Sequence, residues 1–152
     1  MPQTALLFAA GRAVVLPLYR KETAIGKDGN PIDSQLQTAA IFHITSRAAW
    51  DGARRSGLYR GDTLDSEGFI HCSLAHQVVG VANERFRKQQ GLVLLQIDTA
   101  RVAPEIKYEG AGEALFPHIY GPLHMEAVIR VYDFVPDEHG LFQLPADVSE
   151  QA

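Results

Sequence analysis

The sequence predicts an α+β fold, and three observations predict it. Short apolar runs with strand-like alternation recur from residue 41 to residue 135. Two amphipathic stretches with helix start and stop signals separate the first three of these runs. The resulting order is β-α-β-α-β-loop-β, which calls for helices packed on sheets.

Ile41-Phe42-His43-Ile44-Thr45 reads as the first strand. Ser46 to Arg55 reads as a helix, with Thr45 or Ser46 as its N-cap and Gly57 as its stop. Residues 58–68 read as a loop, and Phe69 to Ser73 as a second strand. Ser73 then caps a helix in which Leu74, Val78, Val81, Ala82 and Phe86 share one face, and Gly91 closes that unit. Leu92 to Asp98 is the most apolar strand and the expected centre of a sheet. Residues 100–115 read as loop with one strand near Ile106–Glu109. Phe116 to Leu123 contains Pro117 and Pro122, which argue against a regular strand. Ala127 to Val135 is a long strand, and Pro136 opens a loop. Residues 1–40 read as an N-terminal extension, expected to be mobile, with one marginal strand; 41–145 as a single domain; and 146–152 as a tail.

A chain of 152 residues suits one domain and is long enough to bury a core without staples. Fourteen Lys and Arg against eighteen Asp and Glu leave −4, which gives no bulk attraction for nucleic acid. The single cysteine excludes an intrachain disulfide framework and fits a cytoplasmic location. No apolar run is long enough to span a membrane.

Alternation along a strand sends successive side chains to opposite faces. His43 and Thr45 therefore share a face, as do His71 and Ser73, and His118 can share one with Tyr120. Each of three short apolar segments thus sets a histidine beside a hydroxyl. Three half-exposed strands with capping hydroxyls would also produce this pattern. A shared cleft is the stronger reading, because imidazoles can hydrogen-bond a ribose, orient a diphosphate or move a proton near neutral pH. Glu109, before Gly110, could orient a ribose or act as a base, and a surface loop charge without function is the slightly stronger reading; Asp65, Glu67, Glu113 and Glu126 are the other carboxylates near this cleft. Tyr59, read as a loop residue, is the candidate for stacking on a base, whereas Trp50 reads as core. No metal is expected: His71 and Cys72 are adjacent on a strand and point apart, and Cys72, alternating with Ile70, reads as a buried, inert thiol. No phosphate-loop motif is present. Arg47, Arg54, Arg55 and Arg60 form the basic cluster, readable as solvated charge.

These residues carry a resemblance. Phe42-His43-Ile44-Thr45 with Trp50, then Gly57-Leu58-Tyr59, then Gly68-Phe69-Ile70-His71-Cys72-Ser73 with Gln77, and finally Phe116 to Leu123, resemble the bacterial domain-of-unknown-function family 952. That family is in turn similar to the ADP-ribosyltransferase-like superfamily, which includes RNA 2′-phosphotransferases. The resemblance implies a split β-sandwich with two helices packed on it, holding NAD without a Rossmann fold. His43 and Thr45 would then hold the adenosine-side ribose, His71 and Ser73 would lie beside the nicotinamide ribose, and His118 or Tyr120 would take the third position. The chain departs from the transferases there, since Phe116 to Tyr120 contains no Glu.

Two functions stay open. One is an NAD-using transferase or glycohydrolase, with His43, Thr45, Tyr59, His71 and Ser73 binding NAD and His71, His118, Tyr120 and Glu109 doing the chemistry. The other is a non-catalytic nucleotide- or metabolite-binding module on the same cleft. An RNA end as partner has no support from the net charge.

Overall fold

A computed structural model describes residues 14–15, 40–110 and 112–151. The reading of 1–40 as a mobile extension falls outside them, apart from a short strand β1 (Val14–Val15) and Ala40.

The organising element is a three-stranded antiparallel sheet. Strand β2 (Ala40–Ser46) runs into helix α1 (Arg47–Ser56). Ser46 makes the switch: its Oγ accepts the Ala49 N–H at 3.0 Å, satisfying one of the orphan donors of the first turn. Gly57, at φ +89°, ends the helix by donating its N–H to Ala53 O, a left-handed conformation that favours glycine. β3 (Leu58–Tyr59), a one-turn helix α2 (Leu64–Glu67), β4 (Ile70–His71) and α3 (Ala75–Arg85) follow. Then come β5 (Leu92–Asp98), β6 (Ile106–Glu109), β7 (Phe116–Ile119), β8 (Leu123–His124), β9 (Val128–Phe134) and α4 (Ala146–Gln151).

β5 is central, paired with β2 from Ala40↔Asp98 to Ser46↔Leu92 and with β9 from Leu92↔Phe134 onward. Its run from Leu92 to Ile97 is buried on both faces, which explains why the sequence there is nearly continuous apolar. On one face Ile41, Val93, Leu95 and Ile97 pack with Trp50, Tyr59, Ile70, Ile119 and Leu123. On the other Phe42, Leu92, Leu94 and Phe134 pack with Val78 and Ala82 of α3 and with Phe142 and Val148. Each fully buried aliphatic side chain contributes roughly 1.5–3 kcal/mol. Val148 of α4, in the stretch read from sequence as a tail, thus packs into this core.

A second antiparallel sheet has the order β1-β6-β7-β4, and β3 pairs with β8. β7 forms despite Pro117. The Pro117 carbonyl accepts from Cys72 N–H at 2.9 Å, so its missing N–H faces the end of β4, not the ladder to β6. That missing donor limits β4 to two residues, shorter than the expected Phe69–Ser73. The two sheets are joined where Phe42 and Ser73 exchange backbone hydrogen bonds of 2.8 Å each. Leu74, not Ser73, is the N-cap of α3; Gln77 Oε1 accepts the Leu74 N–H at 2.8 Å and Gln77 Nε2 donates to Leu115 O. The fold is α+β, built from antiparallel sheets and short helices. Among the described residues, no helix is long and apolar enough to cross a membrane.

Candidate functional site

A cleft of about 870 Å³ lies where the two sheets meet. That is at the upper end of the range of roughly 300–1,000 Å³ typical of small-molecule sites. It is lined by His43 and Thr45 of β2, Tyr59 of β3, the 60–63 segment, His71 and Ser73, and Glu109, Phe116 and His118 from the β6–β7 hairpin.

At one end is a buried chain of hydrogen bonds. His43, 7% exposed, donates from Nδ1 to the His71 carbonyl at 2.5 Å, because a carbonyl can only accept. Its Nε2 lies 2.7 Å from Tyr59 Oη, which lies 2.8 Å from Thr45 Oγ1. Burial pushes the His43 pKa below its ordinary value, only partly offset by the His71 carbonyl, so the ring is neutral at pH 7. Both ring nitrogens are spent inside the protein. His43 is therefore a positioning residue: it holds the backbone of β4 at the residue whose side chain enters the cleft.

At the other end stand two imidazoles. His71 and His118 are directly opposite on β4 and β7, their rings edge to face at 5.1 Å. Each is held by a carboxylate. His71 Nε2 meets Glu67 Oε1 at 3.0 Å, and His118 Nδ1 meets Glu109 Oε2 at 3.3 Å. Tyr120 Oη donates to the same Glu109 oxygen at 2.5 Å. Phe69 stacks on His118 at 4.1 Å and 16°. Burial lowers the His118 pKa, and the nearby Glu109 works against that. With the proton of neutral His118 on Nδ1 facing Glu109, Nε2 carries the lone pair. That arrangement orients a base.

The sequence-predicted residues His43, Thr45, Tyr59, His71, Ser73, Glu109 and His118 thus line one cleft, and Tyr120 braces Glu109. Tyr59 is not the exposed loop ring that its flanking glycines suggest: it is 3% exposed in β3, with its ring 6.3 Å from that of Trp50. Asp65, Glu113 and Glu126 do not line the cleft. Asp65 instead forms an ion pair with Arg60. The basic cluster is largely spent as well, with Arg47 paired to Asp133 and Arg54 to Asp51. Cys72 is buried, and burial raises its thiol pKa far above normal. The bracing roles of Phe69 and Glu67 escape sequence reading. Glu67 at four residues from His71 has helix-pair spacing, but the two sit on different elements, so the spacing alone signals nothing.

The family model for a protein of unknown function, DUF952, matches residues 44–131. The X-ray crystal structure of protein CC0527 from Caulobacter crescentus is 38% identical, covering 72% of this chain and 98% of that one, with a TM-score of 0.67. The solution NMR structure of the same protein is also 38% identical, covers 71% and 95%, and has a TM-score of 0.62. No curated protein matches. The likeness to the ADP-ribosyltransferase-like superfamily has no counterpart in these matches. The chain belongs to the DUF952 family.

Proposed function

We propose that the cleft binds a nucleotide, with NAD as the ligand it fits best, and that the chain is an NAD-using transferase or glycohydrolase. The observation that carries this reading is Glu109, whose one oxygen meets both His118 and Tyr120 beside a second imidazole. The segment from Phe116 to Tyr120 lacks a Glu, and Glu109 of the paired strand β6, opposite Phe116, is the carboxylate against His118 and Tyr120.

In the proposed reaction the bond between ribose C1′ and the nicotinamide nitrogen breaks. Nicotinamide leaves neutral with the electron pair, and a hydroxyl of the acceptor or of water forms the new C–O bond at C1′. His118 Nε2 takes the hydroxyl proton. The Glu109 carboxylate lies beside the cationic ribose that develops. Ser73, His71 and the Thr45 end of the cleft hold the rest of the ligand. A split-sandwich, ADP-ribosyltransferase-like ancestry would fit this chemistry.

The test is nicotinamide release from NAD by the purified chain and by His118→Ala. Removing a general base lowers turnover roughly 10²–10⁴-fold. Release that persists unchanged in His118→Ala removes this residue from the chemistry. Binding without release in either protein replaces the enzyme with a nucleotide-binding module.

A further inference from the structure

We propose that Thr45 forms a subsite that can only accept a hydrogen bond, so that this end of the cleft takes a sugar hydroxyl and rejects oxyanions such as phosphate or carboxylate. The inference deepens the nucleotide reading and rests on it for the identity of the ligand.

The argument is a count of protons along the buried chain. The His71 carbonyl has no proton, so His43 Nδ1 must carry one. His43 is buried and no carboxylate reaches it within hydrogen-bond distance among the contacts of the described residues, so the ring is neutral and Nε2 is bare. Tyr59 must therefore donate to Nε2 across the 2.7 Å contact. A phenol has one proton. Towards Thr45, 2.8 Å away, Tyr59 can only accept, so Thr45 must donate its own proton inward. Thr45 Oγ1 is left with lone pairs alone to offer the cleft, which it lines. A ligand hydroxyl can donate to it. An oxyanion faces an acceptor with no proton between them.

The foundation is tested without ligand, by long-range proton–nitrogen spectra of the imidazoles in the full chain at neutral pH. The expected result is His43 protonated at Nδ1 and bare at Nε2. A proton on Nε2, alone or with one on Nδ1, overturns the subsite. Adenosine and 2′,3′-O-isopropylidene-adenosine, whose capped sugar oxygens can only accept, are then titrated into the wild-type chain, Thr45→Val and Tyr59→Phe. Wild type should prefer adenosine by about tenfold. Thr45→Val should lose the preference while still unfolding cooperatively. Tyr59→Phe, which frees the Thr45 proton, should shrink it. Equal affinities in wild type overturn the proposal, as does a preference that survives Thr45→Val. If neither probe binds but NAD shifts the cleft amides, the subsite alone fails; if NAD is also silent, the nucleotide reading fails with it.

Discussion

Tyr59→Phe removes one oxygen from the buried chain that joins β2, β3 and β4. The phenyl ring keeps its packing, 6.3 Å from Trp50 and 5.3 Å from His43 between ring centres, so no cavity forms. What is lost is the donor to His43 Nε2, at a site where His43 is 7% exposed and water is a poor substitute. An unpartnered buried acceptor costs about 1–3 kcal/mol. The variant no longer has to desolvate a hydroxyl, which places the expected loss at about 1–2 kcal/mol. For a chain of this size that is a fall in Tm of roughly 2–8 °C. Thr45→Val is the comparison. Tyr59 there still donates to His43, and Thr45 is half-buried, so its loss should be the smaller of the two. Thermal and urea unfolding of both variants supply the numbers. A Tyr59→Phe chain as stable as wild type, or more stable than Thr45→Val, would refute the proposed proton order.

Other consequences follow from the same geometry. His43 and His118 are both held below the ordinary histidine pKa by burial, so the unfolded chain takes up their protons first as pH falls. Stability should therefore be level above about pH 6.5 and decline below it, until the folded-state values are passed; an unfolding series across pH that rises towards acid would contradict this. Glu109→Gln removes the charge that, after burial, helps to raise the Tyr120 phenol pKa, so the Tyr120 titration followed by phenolate absorbance should move back towards its ordinary value. Cys72, 3% exposed, should resist a thiol-disulfide reagent in the native chain and react once in denaturant; rapid native labelling would place it at the surface.

Much of the fold was legible because it is written locally. The β2–α1 junction is set by Ser46, the end of α1 by Gly57, and the central place of β5 by a nearly continuous apolar run, all visible in the chain. The two-residue strands β3 and β8 were not legible, since each exists only through its partner. Tyr59 was misread for the same reason: glycines at 57 and 61 suggest a loop, while His43 and Trp50 bury it. Within the site, alternation sets His43 with Thr45, but it cannot say that both would be consumed by Tyr59. Nor does alternation relate one strand to another. The pairing of His71 with His118 comes from register alone. The approach of Glu109 to His118 was within reach: a hairpin turning through Gly110 and Gly112 sets Glu109 opposite Phe116, two residues from His118.

The central claim is that this cleft holds a nucleotide. Titrating NAD into the full chain while following backbone amide shifts tests it most directly. The account predicts shifts concentrated at residues 43–45, 59, 69–73, 109 and 116–120. Shifts absent at millimolar NAD, or gathered around α4, which contributes nothing to the cleft wall, would contradict it.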